Sequence, residues 1–161
     1  MATDIRATCV LPAGEWPAGT AADQLTLDYE QRHRRRFRYC AESGTAFLLD
    51  LPRAVVIGDG DGLLLEDGRR ILVRAAAESL LRVTAADTAT LMRLGWHIGN
   101  RHLPAVLTAD HILIRDDAVI VAMLRGLGAT VEAVTCPFTP EAGAYAGAQH
   151  DHHHHHDHAH A

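Results

Sequence analysis

The chain has 161 residues, of which 48% are hydrophobic and 22% are charged, a composition typical of a soluble globular protein of one ordinary domain or two small ones. The formal net charge of -5 argues against nucleic acid as the principal partner, because phosphate binding needs local positive charge. The longest apolar run, residues 118–124, is far shorter than the about 20 residues that cross a membrane, and no apolar signal core precedes it, so we expect a cytoplasmic protein.

The first half of the chain has the pattern of a small all-β module. Short apolar runs alternate with turn signals rich in Gly, Asp and Pro. The Gly-Asp-Gly-Asp-Gly segment at 58–62 is predicted to be a turn and not a calcium loop. With Asp59 as first ligand, the loop Gly and the bidentate Glu would have to be Leu64 and Arg70. The predicted strands are residues 24–29, 34–40, 46–51, 55–57, 62–65 and 71–73.

The second half alternates strands with helices. Asp87 is a predicted helix N-cap, and Gly99 and Asn100 signal the end of that helix. Asp116 or Asp117 is predicted to cap a second helix that stops at Gly128. The residues expected to face a core from the two helices are Leu91, Leu94, Trp96, Ile98, Val119, Ile120, Met123, Leu124 and Leu127. Strands are predicted at residues 79–85, 106–107, 111–114 and 130–136.

These elements predict an α+β protein in three parts. Residues 1–74 form a β-rich N-terminal domain, and residues 75–141 follow the strand-helix-strand-strand-helix-strand order of a ferredoxin-like domain. The remaining residues, 142–161, contain almost nothing that could be buried. We expect them to be a disordered His-rich tail, because the entropy lost on ordering would not be compensated.

The tail has the strongest chemical signature in the sequence. Eight of its last twelve residues are histidine, and Asp151 and Asp157 are interleaved with them. Neutral imidazole suits nickel, copper and zinc, so the composition predicts metal binding without naming the metal. A purification tag is the alternative interpretation, although the uninterrupted run here is five histidines. The tail histidines are His150, His152, His153, His154, His155, His156, His158 and His160.

Several enzyme classes are excluded by missing residues. The chain has no lysine, so it cannot form a P-loop, and neither Ser43 nor Ser79 lies in a G-x-S-x-G motif. No H-E-x-x-H motif is present. Cys9, Cys40 and Cys136 form no CxxC pair, so reduced thiols are expected, with Cys136 near the tail as a candidate minor metal ligand.

An arginine run, formed by Arg32, Arg34, Arg35, Arg36 and Arg38, is the second compositional feature. It could bind RNA or an acidic protein. The favoured interpretation is a solvated edge strand, in which charge prevents sheet-to-sheet aggregation.

Four histidines lie outside the tail: His33, His97, His102 and His111. We expect His33 to be exposed, His97 to be packed within the first predicted helix, and His111 to begin a strand. His102 follows the end of that helix, where a side chain can project from the surface.

Residues 95–102, Gly-Trp-His-Ile-Gly-Asn-Arg-His, resemble the signature of the UreE family of urease accessory proteins. Further segments resemble the family in order: 27–29 with the arginine run, 58–61, 65–68, 127–129, 137–141, 143–145 and the His-rich C-terminus. The resemblance implies a homodimer in which two copies of His102 share one metal ion. Family histidines at the start of the second helix correspond to Asp116 and Ala118, so that auxiliary site is not expected. His111 is the nearby substitute and a candidate minor ligand.

The resemblance therefore implies a nickel metallochaperone and not an enzyme. The tail would collect Ni(II), with Zn(II) or Cu(II) as competitors, and the paired His102 site would pass it to apo-urease in complex with the urease accessory GTPase. Three alternatives stay open: a nickel or zinc storage or detoxification buffer, a nucleic-acid-binding module built on the arginine run, and a metal-dependent hydrolase. The last would need a base beside an open metal site, and the sequence offers no such cluster.

Overall fold

A computed structural model of the chain describes residues 5–143. The predicted disorder and metal binding of the tail, including all eight tail histidines, fall outside these residues. The first part of the described chain contains β1 (Arg6–Leu11), β2 (Asp23–Leu27), α1 (Tyr29–Arg32), β3 (Arg36–Cys40), β4 (Ala46–Asp50), β5 (Gly62–Leu65) and β6 (Arg70–Ala75). The second part contains β7 (Ala77–Thr84), α2 (Thr88–Asn100), β8 (Ala105–Leu107), β9 (Ile112–Arg115), α3 (Ala118–Gly126) and β10 (Thr130–Pro137).

The first six strands form one mixed sheet in the order β2-β6-β5-β1-β4-β3. The β1–β4 and β2–β6 pairs are parallel, and the other neighbours are antiparallel. Alternate residues of these strands point to one side and form a core whose most completely buried members include Phe47, Leu49, Leu63, Ile71 and Val73. The chain passes to the second sheet at Ala76.

Three elements of the first part differ from the sequence prediction. Residues 55–57 are not a strand. Ile57 is instead a buried core residue whose amide donates to the Arg32 carbonyl (3.0 Å). The short helix α1 was not predicted, although its signal is present, because the Asp28 carboxylate accepts from the Gln31 amide (2.8 Å) in a capping box. Strand β1 was also missed. The turn at 58–61 is as predicted, closed by the Asp61 carboxylate, which accepts from the Gly58 amide (2.7 Å).

The arginine run divides into two environments. Strand β3 lies at the edge of the first sheet, as predicted, and Arg34, Arg35 and Arg36 are exposed. Arg32 does not belong to this solvated surface: it is the last residue of α1 and its side chain is fully buried.

The second sheet is antiparallel throughout, in the order β10-β7-β9-β8. Helices α2 and α3 cover one face, where Leu91, Leu94, Ile98, Ile120 and Leu124 pack with the inward residues of the strands. The order of elements, strand-helix-strand-strand-helix-strand, is the predicted order. None of the helices within residues 5–143 is long and apolar enough to cross a membrane.

The helix starts agree with prediction, but three predicted core residues do not. The Asp87 carboxylate accepts from the Thr90 amide (2.8 Å), and the Asp117 carboxylate accepts from the Val119 amide (2.9 Å). Trp96 is 64% exposed, and Val119 and Leu127 are exposed as well. At 100° per residue, Trp96 lies about 200° around the helix from Leu94 and points away from the sheet.

Candidate metal site

Helix α2 ends in a hydrogen-bonded cap that places His102 in an unusual backbone conformation. The His102 amide donates to the Gly99 carbonyl (2.9 Å), and the Leu103 amide donates to the Ile98 carbonyl (3.4 Å). These two bonds are those of a Schellman motif, in which the residue after the helix adopts a left-handed conformation that glycine usually supplies. Here that residue is His102, with φ of 56°, and no other non-glycine residue in the described chain has a positive φ.

The cap leaves His102 exposed at the surface. The next residue, Leu103, packs against the core between the second sheet and its helices. The Arg101 guanidinium donates to the His97 carbonyl (3.1 Å), which satisfies one of the last carbonyls of the helix. The backbone amides make the cap, so the imidazole has no part in closing it. A side chain held in a strained conformation without a structural task is a candidate functional group.

An apolar surface extends along α2 toward His102. Met92 and Trp96 are 71% and 64% exposed, and Gly99 continues the same face at the spacing of successive helical turns. Beside them, Leu107 is exposed at the end of β8, and an open groove of about 400 Å³ runs between the helix and the β8–β9 turn. A Cβ added at Gly99 would meet no atom of the described residues within 4 Å. We call Met92, Trp96, Gly99 and Leu107 the α2 face.

His97, predicted to be packed within this helix, lies beside the α2 face and is partly buried. Its ring contacts the edge of the Trp96 ring, with centroids 5.0 Å apart. His33 is exposed, as predicted, and its ring lies 5.9 Å from that of Tyr29.

His111 is a second histidine with a defined orientation. Its Nδ1 lies 2.7 Å from the Asp110 carboxylate and 2.9 Å from the Thr108 hydroxyl, in the turn between β8 and β9. The hydrogen bond from His111, followed by the one from Thr108, lowers the pKa of the Asp110 carboxyl. Since an ionised carboxylate can only accept, Nδ1 carries the proton and Nε2 of a neutral ring keeps its lone pair. A carboxylate bonded to one ring nitrogen is a common support for a metal-binding imidazole.

The structure does not assemble these groups into one site within a single chain. His102 precedes β8 and His111 follows it, so the two lie at opposite ends of that strand. Residues 5–143 contain no group of three or more His, Cys, Asp or Glu side chains placed to hold a metal ion. Cys136 is partly buried and its thiol is free, as are the exposed thiols of Cys9 and Cys40. A metal at His102 therefore needs ligands from outside the described part of this chain.

Two features of the site region were not predicted from the sequence. One is the positive φ at His102, because glycine or asparagine normally marks such a position. The other is the burial of Arg32, which the sequence places among surface arginines. The Asp-x-x-Gln capping box at 28–31 was the available signal that the chain turns into a helix before β3.

Comparison with known proteins identifies relatives along nearly all of the chain. Residues 7–76 match the family model of the UreE urease accessory protein N-terminal domain, and residues 78–161 match that of its C-terminal domain. A urease accessory protein UreE of a Bradyrhizobium species is 51% identical over 146 residues, covering 91% of this chain and 70% of the relative. The same-named proteins of a Chelativorans species (55% over 131 residues; 81% and 83% covered) and of Rhodobacter capsulatus (52% over 140 residues; 87% and 86% covered) are similarly close.

Proposed function

The chain belongs to the UreE family of urease accessory proteins, and on that premise we propose that it is a nickel-binding metallochaperone that collects Ni(II) and delivers it to apo-urease. It acts as a carrier and catalyses no reaction of its own. Its place is the cytoplasm, where it meets apo-urease together with the urease accessory GTPase. Membership of the family supports a role in urease assembly, and nickel delivery is the part that we add.

The observation that carries the proposal is the exposed, strained His102 at the end of α2. Holding a non-glycine residue in the left-handed region costs about 1–2 kcal/mol, and the cap would close equally well with glycine. A neutral imidazole at the surface is a ligand suited to nickel, zinc and copper. Metal binding would explain why a histidine, and not a glycine, stands at this position.

One His102 per chain becomes a metal site when two chains meet on a twofold axis. An isologous interface brings the same residue from both subunits together, so two imidazoles share one ion. The α2 face supports such a homodimer, because Met92 and Trp96 expose large apolar side chains beside His102. Two protein ligands leave coordination positions open, which favours release to a recipient.

The tail histidines are proposed as the collecting element. Eight imidazoles in twelve residues supply many donors, and donors without a fixed cage hold metal weakly enough to pass it on. Zn(II) and Cu(II) are expected to compete. Copper generally binds such sites more tightly than nickel, and imidazole is also a good ligand for zinc. His111, oriented by Asp110, is proposed as a minor surface ligand.

The two sheets are proposed to have separate roles. Residues 75–141 would be the metal-binding domain with a ferredoxin-like fold, supported by the order of its elements and the strand order β10-β7-β9-β8. Residues 1–74 would be the β-rich domain that contacts assembly partners, with the arginines of β3 on its exposed edge. This division follows the change from one sheet to the other at Ala76.

The proposal is tested by transfer of metal to apo-urease. Nickel-loaded protein is mixed with apo-urease and its accessory proteins, and urease activity is followed while a chelator binds any free Ni(II). We expect activation with the intact chain, slower activation after truncation following Gln149, and little activation with His102→Ala. Equal activation by the His102→Ala protein would contradict the role of this residue.

Storage or detoxification without a dedicated recipient is the second candidate, favoured by the histidine content of the tail alone. A buffer would lose all function on truncation after Gln149 and would not activate apo-urease in the presence of chelator. The same assay therefore separates the two functions.

A further inference from the structure

Arg32 is a buried cation that the proposed metal transfer does not use. Its side chain is fully buried at the end of α1. The guanidinium donates from Nε to the Leu27 carbonyl (3.3 Å), from Nη1 to the Ile57 carbonyl (2.9 Å) and from Nη2 to the Phe138 carbonyl. Nη1 also reaches the Thr139 hydroxyl at 3.5 Å. One side chain thus joins three separate segments of the chain.

Burial of the Arg32 guanidinium is unfavourable in itself, and its hydrogen bonds are what compensate for the loss of water. Burying a guanidinium is strongly unfavourable unless its N–H donors find partners. Burial lowers the pKa of Arg32, while the charges of Glu78, Asp59 and Asp28 oppose that shift, and the group stays protonated. Among the described residues no carboxylate forms an ion pair with Arg32, so its partners are three backbone carbonyls and the Thr139 hydroxyl.

The segment held by Arg32 is the one from which the histidine tail departs. Residues 138–143, which follow β10, form what we call the C-terminal strap. Phe138 is fully buried, and its ring meets the edge of the Tyr29 ring at a centroid distance of 5.4 Å. Farther along the strap, the Glu141 amide donates to the Ala105 carbonyl (2.8 Å) at the start of β8. The strap is therefore fixed to both sheets, to the first through Arg32 and to the second through Ala105.

The second anchor brings the strap close to the proposed metal ligand. Ala105 is three residues after His102, so their Cα atoms are at most roughly 11 Å apart. Gly99, Leu103 and Glu141 line the same small cleft at the end of α2. His150, the first tail histidine, is nine residues beyond Glu141, a covalent reach of at most roughly 32 Å. The anchored strap therefore starts the tail within reach of His102.

We infer that Arg32 is a positioning residue that fixes the C-terminal strap across both sheets and thereby sets the effective concentration of tail imidazoles at His102. The inference rests on the proposed function for its consequence, but the anchoring itself is independent of metal. If both hydrogen-bond anchors were lost, the tether to His150 would start at the buried Phe138 and lengthen from nine residues to twelve. Because effective concentration falls as about the −3/2 power of tether length, this lengthening alone lowers the tail's contribution about 1.5-fold, and displacement of the origin lowers it further.

The substitutions are chosen to release each anchor separately. Arg32→Lys keeps a positive charge but cannot direct a planar fork to three carbonyls. Glu141→Pro removes the amide that bonds Ala105, at an exposed residue outside the strands. Arg34→Lys, at the exposed neighbour of the run, and Glu141→Gln, which keeps the amide, are the matched controls.

A distance measurement tests the anchoring without metal. Spin labels are attached through Asn100→Cys and Gly143→Cys in a chain with Cys9, Cys40 and Cys136 changed to Ser, diluted with unlabelled chain. We expect a narrow distance distribution in the controls and a broader, longer one with Arg32→Lys and Glu141→Pro. Unchanged distributions in both would overturn the inference. If Arg32→Lys does not fold, the Glu141→Pro and Glu141→Gln pair decides the question.

The functional consequence is measured as a ratio of nickel affinities. For each variant, the affinity at the His102 site of the full chain is divided by that of the chain truncated after Gln149. We expect this ratio to fall about 1.5-fold or more when Arg32→Lys and Glu141→Pro are combined, and by less with either one alone, while the truncated affinity stays unchanged. An unchanged ratio would overturn the inference, and a parallel loss in both chains would mean that Arg32 acts only through stability. If the truncated parent chain bound no nickel, the proposed function would fail, and the label distances would still test the strap.

Discussion

At position 102 the backbone has a φ of 56°, in the region that glycine occupies without strain. The two hydrogen bonds that end α2 come from the amides of His102 and Leu103, so the cap itself places no demand on the side chain. Strain retained at an exposed residue is explained if the imidazole binds something. The stability of the helix end favours glycine at position 102, whereas the proposed metal site requires histidine there.

Replacing His102 by glycine is expected to raise the free energy of unfolding of the metal-free protein by up to about 1 kcal/mol. The left-handed strain disappears, although the greater freedom of glycine in the unfolded chain offsets part of the gain. Urea denaturation at one protein concentration measures the change. His102→Ala, which keeps the strained backbone, is the control and should lie within about 0.5 kcal/mol of the parent. A clear loss of stability with His102→Gly would mean that the imidazole makes a stabilising contact.

The buried carboxylate of Asp23 stabilises the fold through its charge. Burial alone would raise the pKa of its carboxyl, but hydrogen bonds from Ser43, Gln24 and Thr45 outweigh burial and hold the pKa well below its usual value. A lowered folded-state pKa contributes stability that is present above the unfolded pKa of about 3.9 and is lost as the pH falls toward the folded value.

Asp23→Asn is therefore expected to cost about 1–3 kcal/mol at pH 7, because an amide cannot accept from three donors as a carboxylate does. The difference from the parent should shrink as the pH falls below about 4. Denaturant titrations between pH 7 and pH 3 measure it, with the exposed Glu15→Gln as control. A constant difference across this range would contradict the assignment of the effect to charge.

At the scale of elements, the sequence predicted the helix caps correctly. It predicted poorly which side of a helix faces the core. Asp87 and Asp117 cap α2 and α3 as expected, because a cap depends on neighbouring residues alone. Trp96 was assigned to the core for its apolar character, yet its angle on the helix directs it outward. Residues 55–57 are β-branched and apolar like a strand, but the Ile57 backbone bonds to Arg32, a partner 25 residues away that no local pattern identifies.

The same distinction applies to the candidate site. The position of His102 just after a helix could be predicted from Gly99 and Asn100. Its positive φ could not, because glycine is the usual occupant of that cap position and few other residues adopt the conformation. The burial of Arg32 depends on carbonyls contributed by segments on both sheets, and these meet only in the folded chain.

Gly99 offers a test at the scale of a helix. Glycine in a helix costs about 0.5–1 kcal/mol relative to alanine, and Gly99 has no neighbour among residues 5–143 that an added Cβ would meet. If a second copy packs on the α2 face, Gly99→Ala should stabilise α2 yet weaken the dimer about tenfold or more. Analytical ultracentrifugation over a range of concentrations measures the dissociation constant. Gly126→Ala, at an equally open position in α3, is the control. A dimer unaffected by Gly99→Ala would place the interface elsewhere.

For the whole molecule, nickel affinity should depend steeply on pH. Protonated imidazole cannot bind metal, and a free imidazole has a pKa of about 6.5. A site that needs two imidazoles should lose affinity about 100-fold for each pH unit below roughly pH 6, since two protons compete with one ion. Titrations of the protein truncated after Gln149 at pH 8, 6 and 5 test this. A flat affinity over that range would exclude ligation by histidine.

The central claim is that two chains share one nickel ion through His102, and calorimetric titration of the chain truncated after Gln149 tests it most directly. We predict one Ni(II) bound per two chains, with binding abolished by His102→Gly and retained by His111→Ala. The intact chain should show additional weaker sites from its tail. Nickel binding that survives His102→Gly in the truncated chain, or a stoichiometry of one ion per chain, would contradict the claim.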